Sequence, residues 1–427
     1  MSFVQLNNIS LAFGDRDILK DVNFAISTGS RVALSGANGS GKTTLMKIIS
    51  RECETDSGNV IISPDSRIAY LPQSGIEHKG STLRDEAEKA FFWISETIKE
   101  IDNLGKTLEK KKEGDKIENL LNRHHDLQEL VLQSGYYHRE EQIGRILKGL
   151  GFSAEDLERE CSEFSGGWQM RIALAKELLK APDILLLDEP TNYLDLEARE
   201  WLKDFLSVFR GGILIVSHDR FFLDAVVSEV AELFLGTLKI YKGNYTTYEK
   251  RRDEELITLL DSYKKQQEEI AKHEDFIRRF RYNASKASMV QSRVKTLEKL
   301  ERIVIPDNLK KIHFNFPPPP HSGKKMLTLE GVRKSYGERE VLKGIDHLVQ
   351  KGDKLVISGL NGAGKSTLLR ILSGEDKDFD GTMTYGTDVK VGYFSQDQDD
   401  VLDKSKTVLE ELESEAPTEM IPNLRSM

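Results

Sequence analysis

The sequence is poor in cysteine. Its 427 residues contain two, Cys53 and Cys161, and these show no metal-ligand spacing. Disulfide frameworks and structural zinc sites both need more cysteines at closer intervals. We therefore expect reduced thiols in an intracellular protein, with both cysteines acting as ordinary packing residues.

The sequence also lacks a long apolar run and an excess of positive charge. No run approaches the roughly 20 residues that a membrane helix needs. The first six residues, MSFVQL, begin a strand pattern without the basic and apolar regions of a signal peptide. We expect a soluble cytoplasmic chain with no membrane partner. Its net charge of −9 means that any nucleic-acid contact must come from a local basic segment.

What the sequence does contain is a phosphate-binding motif. Residues 36–43, GANGSGKT, match G-x-x-x-x-G-K-[ST]. An apolar segment predicted to be a strand (31–35) precedes it, and a helical pattern follows. Backbone N–H groups of such a loop cradle phosphates, while the lysine reaches the terminal phosphates and the hydroxyl binds Mg²⁺. The predicted nucleotide contacts are Gly36, Asn38, Gly39, Ser40, Gly41, Lys42, Thr43 and Thr44, with Thr43 also a metal ligand.

The same motif recurs 323 positions later, in residues 359–366, GLNGAGKS. Phe13 and Tyr336 share this offset, as do Gln73 and Gln396. A repeat of this length indicates two homologous domains, each an α/β core with a β-rich N-terminal layer. The contacts predicted in the second copy are Gly359, Asn361, Gly362, Ala363, Gly364, Lys365, Ser366 and Thr367, with Ser366 and Gln396 as metal ligands.

Three further motifs follow in the first copy. Ser165, Gly166 and Gly167 precede a helix, where backbone N–H groups bind anions. An apolar strand (184–187) ends in Asp188 and Glu189, which suit Mg²⁺ binding and activation of water. Another strand (212–216) ends just before His218, a position suited to sensing the terminal phosphate. Taken singly, Phe13 could stack on a purine or belong to the core, and Gln73 could be an ordinary loop residue.

Together these residues resemble an ATP-binding cassette (ABC) ATPase with its motifs in order. The resemblance implies a P-loop NTPase fold, ATP and Mg²⁺ as ligands, and hydrolysis of ATP. Two departures occur in the signature, where Phe164 replaces the usual leucine and Trp168 precedes Gln169. The resemblance implies that Phe13 and Tyr336 stack on adenine and that Gln73 is the Q-loop residue and a metal ligand. It implies that Ser165, Gly166 and Gly167 form the signature, that Asp188 is the Walker B aspartate and that Glu189 is the catalytic base. It also implies that Asp195 belongs to the D-loop and that His218 is the switch histidine.

Tandem cassettes without membrane helices resemble the ABC-F class, whose members mostly act on the ribosome. That class joins its cassettes by a helical hairpin that reaches toward transfer RNA. Here Leu256, Tyr263, Ile270 and Ile277 run at heptad spacing, and a returning helix follows. From 276 to 297 there are six basic residues and no acidic one, which suits RNA phosphates and bases. The predicted contacts to transfer or ribosomal RNA are Arg278, Arg279, Arg281, Tyr282, Lys286, Arg293 and Lys295.

The predicted organisation is a first cassette (1–245) with a helical arm inserted at 80–135, a helical-hairpin linker (246–325), and the N-terminal part of a second cassette (326–427). Pro317 to Pro320 is expected to be a stiff connector. The second copy contains no further S-G-G, Asp-Glu strand end or switch histidine, so we expect a truncated or interrupted form. Two chains could pair their first cassettes in an ATP-dependent manner. The alternatives are a transporter ATPase subunit and a non-hydrolysing ATP-binding module.

Overall fold

The computed structural model describes residues 2–14, 16–64, 66–75, 78–110, 115–133, 135–281, 286–300, 321–337, 339–359, 362–395, 402–403, 405–416, 420–421 and 424. Tyr282, Asn361, Gln396 and the connector 317–320 lie outside these residues. The chain divides into two units, Met1–Asp307 and Asn308–Met427. The predicted linker helices therefore belong to the first unit.

The first unit is built on two sheets. Its strands are β1 (Phe3–Phe13), β2 (Arg16–Ser27), β3 (Arg31–Ser35), β4 (Ser57–Ile62), β5 (Ile68–Leu71), β6 (Ile184–Asp188), β7 (Gly212–Val216), β8 (Glu229–Phe234) and β9 (Thr237–Lys242). The antiparallel N-terminal sheet has the order β2-β1-β4, and the larger sheet has the order β5-β6-β7-β3-β8-β9. All pairings in the larger sheet are parallel except β8–β9.

The larger sheet is covered on both faces. Every residue of β6 and β7 is buried. Leu185, Leu187 and Ile213 belong to one apolar core, whereas Ile184 and Leu186 belong to the other. Continuous apolar strands of this kind are typical of parallel sheets buried on both sides. This arrangement confirms the predicted α/β class, and it brings the carboxyl ends of β3, β6 and β7 to one edge.

The first unit contains ten α-helices among its described residues. They are α1 (Lys42–Ile49), α2 (Leu83–Glu88), α3 (Phe92–Lys110), α4 (Asp115–Gln133), α5 (Arg139–Gly149), α6 (Gly166–Leu179), α7 (Leu196–Val208), α8 (Arg220–Val226), α9 (Tyr245–Phe280) and α10 (Ala287–Lys299). Helices α3 and α4 pack against each other within the range predicted for the arm. Helix α6 begins within the signature itself, earlier than the apolar pattern predicts.

The linker begins as one continuous helix. Helix α9 runs for 36 residues, and α10 packs back against it. Asn244 caps α9 by accepting a hydrogen bond from the Thr247 N–H at 3.1 Å. Of the heptad positions, Ile270 is buried and Leu256, Tyr263 and Ile277 are half-buried, so the predicted stripe faces inward along the helix.

The second unit repeats the first layer of the fold. Strands β10 (Lys325–Tyr336), β11 (Arg339–Gln350) and β12 (Asp380–Tyr385) form a sheet with the order β11-β10-β12. Helix α11 (Lys365–Ser373) follows the second phosphate loop, and α12 (Val408–Glu415) lies further along. Residues 354–358 correspond to β3 but form no strand, and Val356 is 93% exposed. In the first unit β3 is held by β7 and β8, and the described part of the second unit provides no counterpart of either.

Candidate nucleotide-binding site

The first phosphate loop requires glycine at its two ends. Gly36 has φ +150°, and a Cβ there would lie 2.6 Å from the Leu233 carbonyl oxygen. Gly41 has φ +101°, and its Cβ would lie 2.6 Å from Cγ2 of Ile18. Side chains are excluded at both positions by neighbouring strands and by the left-handed backbone. The loop therefore presents its backbone rather than side chains to a ligand.

Lys42 and Ser40 are placed to meet phosphate. The Lys42 ammonium donates to the Gly36 and Ala37 carbonyl oxygens at 2.8 and 3.0 Å. Burial lowers the pKa of Lys42, and the carboxylates of Asp188 and Glu189 oppose that shift. The Ser40 hydroxyl is buried without a hydrogen-bond partner in the described structure. A buried donor of this kind is costly unless a ligand satisfies it, so the loop fits a phosphate group.

Thr43 and Asp188 form the part of the site that fits Mg²⁺. The Thr43 hydroxyl donates to the Asp188 carboxylate at 2.6 Å, and Asp188 is buried at the end of β6. A hydroxyl beside a carboxylate supplies the hard oxygen ligands that Mg²⁺ prefers. These two residues would hold the ion, and the bound ion would neutralise negative charge on the phosphates.

Glu189 is held in a constrained position beside His218. Its φ is +53°, which is uncommon for a residue other than glycine, and its N–H donates to the Val216 carbonyl at 2.9 Å. Its carboxylate accepts from the His218 N–H at 3.2 Å, and the His218 Nε2 lies 3.4 Å from the second oxygen. Burial raises the pKa of Glu189. A buried carboxylate of raised basicity suits a general base.

Lys42, Thr43, Asp188, Glu189 and His218 line one cavity of about 480 Å³, whereas Gly36 and Ser40 of the loop do not contribute to its lining. Phe13 is 58% exposed at this cavity, so the structure places it as a surface aromatic rather than a core residue. Sequence reasoning missed Ile18 and Val216, whose apolar side chains look like ordinary strand residues. The lining consists of Phe13, Ile18, Asn38, Gly39, Gly41, Lys42, Thr43, Thr44, Gln73, Asp188, Glu189, Val216 and His218.

The signature and the D-loop lie outside the lining of this cavity. Ser165 and Gly166 are exposed at the start of α6, and a Cβ on Gly166 would meet no atom within 4 Å. A Cβ on Gly167 would lie 3.6 Å from Cδ1 of the Tyr193 ring. The two glycines therefore differ, since the first is open to a ligand and the second packs against the D-loop.

The carboxylate of Asp195 orders its own loop. One oxygen caps α7 by accepting from the Ala198 N–H at 3.0 Å. The other oxygen accepts from the Arg171 guanidinium at 3.1 Å. These contacts fix the D-loop against α6, and in this structure they lie within the first unit.

The second phosphate loop has the same local geometry. Gly364 has φ +91°, and its Cβ would lie 2.5 Å from Cγ1 of Val341, the counterpart of Ile18. Lys365 donates to the Gly359 carbonyl at 2.8 Å, as Lys42 does to Gly36. Tyr336 is 52% exposed. The other described members of the predicted set are the exposed Gly362 and Ala363, followed by Ser366 and Thr367 in the first turn of α11.

The basic hairpin is partly paired internally. Arg278 and Arg279 donate to the two oxygens of Asp275 at 2.6 and 2.8 Å. The Lys286 ammonium lies 3.7 Å from the Phe280 ring centroid, and the Arg293 guanidinium lies 4.1 Å from that of Phe276. Sequence reasoning missed these cation–π contacts, which occupy both phenylalanine rings. Arg281 and Lys295 are exposed.

A phosphate loop, a Walker B strand and a switch histidine on one parallel sheet define an ATP-binding cassette. The sequence profile described as ABC transporter matches residues 19–192 and 342–426, and a second profile of the same description matches 231–316. The first profile therefore finds two cassette regions in one chain.

The chain belongs to the ABC-F family of ATP-binding proteins. It is 35% identical over 98% of its length to the ABC transporter ATP-binding protein YfmM of Bacillus subtilis and spans 80% of that protein. It is 35% identical to ABC transporter F family member 5 of Arabidopsis thaliana, covering 96% of this chain and 60% of the relative. It is 36% identical to the putative ATP-binding protein YdiF of B. subtilis, covering 98% and 65%. No helix in the described parts of the chain is long and apolar enough to cross a membrane.

Proposed function

We propose that this chain hydrolyses ATP at the first cassette and uses the linker hairpin to contact ribosomal or transfer RNA. The first half rests on the cavity that gathers Lys42, Thr43, Asp188, Glu189 and His218. The second half rests on the charge of the hairpin, which carries six basic and no acidic residues from 276 to 297 in a chain of net charge −9.

Hydrolysis requires a water molecule to attack the terminal phosphorus, which breaks the bond from that phosphorus to the bridging oxygen and releases ADP. Glu189 takes the proton from that water, and its position at the end of β6 fixes the carboxylate against His218. Lys42 leaves the loop carbonyls to bind the terminal phosphates, and its charge offsets the negative charge that develops on the phosphoryl oxygens. Gln73, exposed at the cavity, would orient the water or complete the metal coordination.

The exposed signature supplies the remaining contact in trans. Ser165 and Gly166 face solvent at the N-terminus of α6, where backbone N–H groups attract phosphate. We propose that these residues close over a nucleotide held by another cassette. Pairing of two first cassettes from separate chains would use this surface twice.

The hairpin supports RNA binding through charge that remains available to phosphates. Asp275 neutralises part of the charge on Arg278 and Arg279, so phosphate must compete with that carboxylate for them. Arg281 and Lys295 add exposed cations on the two sides of the hairpin. Salt-dependent phosphate contact of this kind dominates nucleic-acid affinity.

Reversing the charge of Arg278, Arg279 and Arg281 to glutamate should reduce co-sedimentation with ribosomes at least tenfold in the presence of a non-hydrolysable ATP analogue. The dependence of log affinity on log salt should also flatten, by about 0.7 for each phosphate that is no longer neutralised. The matched control is reversal of Lys264, Lys265 and Lys272, which lie exposed on the same helix. Equal reductions in both triple variants would contradict a specific role for Arg278, Arg279 and Arg281.

The rate of ATP hydrolysis should decline as the pH is lowered, and this decline should occur at a higher pH than it would with a base of ordinary glutamate pKa. Burial raises the pKa of Glu189, while the charge of His218 lowers it. The base works only when deprotonated, so activity should be present above this raised pKa and lost as pH falls through it. Replacing His218 with alanine removes the opposing effect and should move the acid limb to higher pH. A pH profile of kcat for both proteins measures this shift, and an unchanged acid limb would contradict the assignment.

A further inference from the structure

The base of the linker helix touches the strand that carries the phosphate loop. The Tyr248 hydroxyl lies 3.2 Å from the Ser35 hydroxyl. Ser35 is the last residue of β3 and directly precedes Gly36. Tyr248 is 5% exposed, and its ring packs against those of Tyr241 and Tyr245 at centroid distances of 5.1 and 5.4 Å. A buried side chain on α9 therefore ends at the residue just before the nucleotide loop.

The same helix turn touches the segment that follows the switch histidine. Arg220, two residues after His218, donates to Glu249 at 2.9 Å. Asp224, one turn further along α8, accepts from the Thr246 N–H at 2.7 Å. Neighbouring residues 248 and 249 of α9 thus contact the two segments that lead into the phosphate loop and away from the switch histidine.

A buried ion pair fixes α9 to the sheet at this point. Arg252 pairs with Glu232 of β8, which is 6% exposed and accepts from the Tyr241 hydroxyl at 3.2 Å. In the parallel register of β3 and β8, Glu232 lies opposite Ser35. The first two turns of α9 are therefore anchored to β8 and to the end of β3, which leads directly into the phosphate loop, so a shift of this strand pair would be transmitted to the helix.

We propose that the base of α9, residues 245–252, changes its conformation with the nucleotide state of the first cassette. The change would be transmitted through the contacts Ser35–Tyr248 and Arg220–Glu249. These four are positioning residues, because none of them lines the nucleotide cavity. A helix of 36 residues is about 54 Å long, so a tilt of about 5° at its base displaces its far end by about 5 Å. The proposal rests on ATP binding and holds whether or not the hairpin contacts RNA.

The test compares Ser35→Ala, Tyr248→Phe and the double variant by hydrogen exchange and by affinity for the non-hydrolysable analogue AMP-PNP with Mg²⁺. The control is Tyr263→Phe, which removes a hydroxyl from the same helix about four turns away. In the unaltered chain, AMP-PNP should slow exchange of the amides at 245–252 at least threefold. Tyr248→Phe should abolish most of that response, whereas Tyr263→Phe should retain it.

Coupling is reciprocal, so removing this hydrogen bond should also change AMP-PNP affinity by about two- to tenfold, the range for one such bond. Tyr248→Phe removes only the contact with Ser35, whereas Ser35→Ala also removes the interaction of Ser35 with the Tyr245 side chain, so the double variant should lose no more affinity than Ser35→Ala alone. Glu249→Gln should reduce the exchange response independently. The proposal would be overturned if AMP-PNP left the exchange rates of the amides at 245–252 unchanged in the unaltered chain. Additive effects in the double variant, or a Tyr248→Phe chain that behaves like Tyr263→Phe, would also overturn it.

Discussion

Replacing Glu189 with glutamine should lower kcat for ATP at least about 100-fold, the usual contribution of a general base, while leaving ATP affinity within about threefold. The amide cannot accept the proton of the attacking water. It retains the size of the side chain, and its oxygen can still accept from the His218 N–H, which lies 3.2 Å from the carboxylate. Single-turnover phosphate release and equilibrium binding of ATP measure the two effects separately.

Glu177→Gln is the matched control for this change. Burial also raises the pKa of Glu177, but its side chain pairs with Lys180 at 2.6 Å on α6 and does not line the cavity. It should retain turnover. If Glu189→Gln kept the kcat of the unaltered chain, Glu189 would not be the base. If ATP hydrolysis were absent from the unaltered chain, the cassette would be a binding module.

The same variant tests self-association. When hydrolysis is blocked, closed pairs of first cassettes should accumulate in the presence of ATP. The exposed Ser165 and Gly166 of one chain would then remain bound to the nucleotide of the other chain. Sedimentation velocity of Glu189→Gln with ATP should then show a species of twice the chain mass that ADP does not support. A strict monomer under both conditions would contradict pairing through the first cassette.

Replacing Arg171 with alanine should destabilise the first cassette by about 3–5 kcal/mol, the range for breaking a buried ion pair. Arg171 is 1% exposed. It donates to the Leu150 and Tyr193 carbonyls at 2.7 and 2.9 Å and to Asp195 at 3.1 Å. Its guanidinium also stacks on Trp168, 4.4 Å from the ring centroid. Removal takes the Arg171 donor away from one carboxylate oxygen and two carbonyl oxygens and opens a cavity.

Urea unfolding of Arg171→Ala against Arg145→Ala measures this cost. Arg145 is exposed on α5, so its removal should change the free energy of unfolding by less than about 0.5 kcal/mol. Arg171→Met keeps most of the volume and separates the effect of the hydrogen bonds from that of the cavity. A cost below about 1 kcal/mol for both Arg171 variants, well under the range for a buried pair, would mean that the ion pair does not join α6 to the D-loop in solution.

The sequence was sufficient to predict the elements that end in the site. An apolar segment followed by charged residues predicts β6 with Asp188 and Glu189, and the structure places them in one cavity with the phosphate loop. Local pattern is enough here because parallel strands bring their carboxyl ends to the same edge. The resemblance of the full motif set then identifies the cassette, and the family comparisons confirm it.

The contacts that join these elements could not be predicted in this way. Ser35 and Tyr248 are 213 positions apart, and neither residue type indicates which residue it will contact. Arg171 offered a weak signal, since it is the one charged residue within the apolar run 170–175. At residues 354–358 the sequence predicts an element that the structure does not contain. Their sequence, KLVIS, has the pattern of β3, but a strand forms only where neighbouring strands hydrogen-bond to it.

The position of β3 has a consequence for how the first cassette is made. This strand lies between β7 and β8, which leave the ribosome about 180 residues after it. At about 5–20 residues per second, synthesis of that stretch takes roughly 10 to 40 s. During that interval the phosphate loop has been made, but the central sheet that shapes it cannot close. Nucleotide binding is therefore acquired late, as one event, and a nascent chain paused between β3 and β7 should not be retained on an ATP resin.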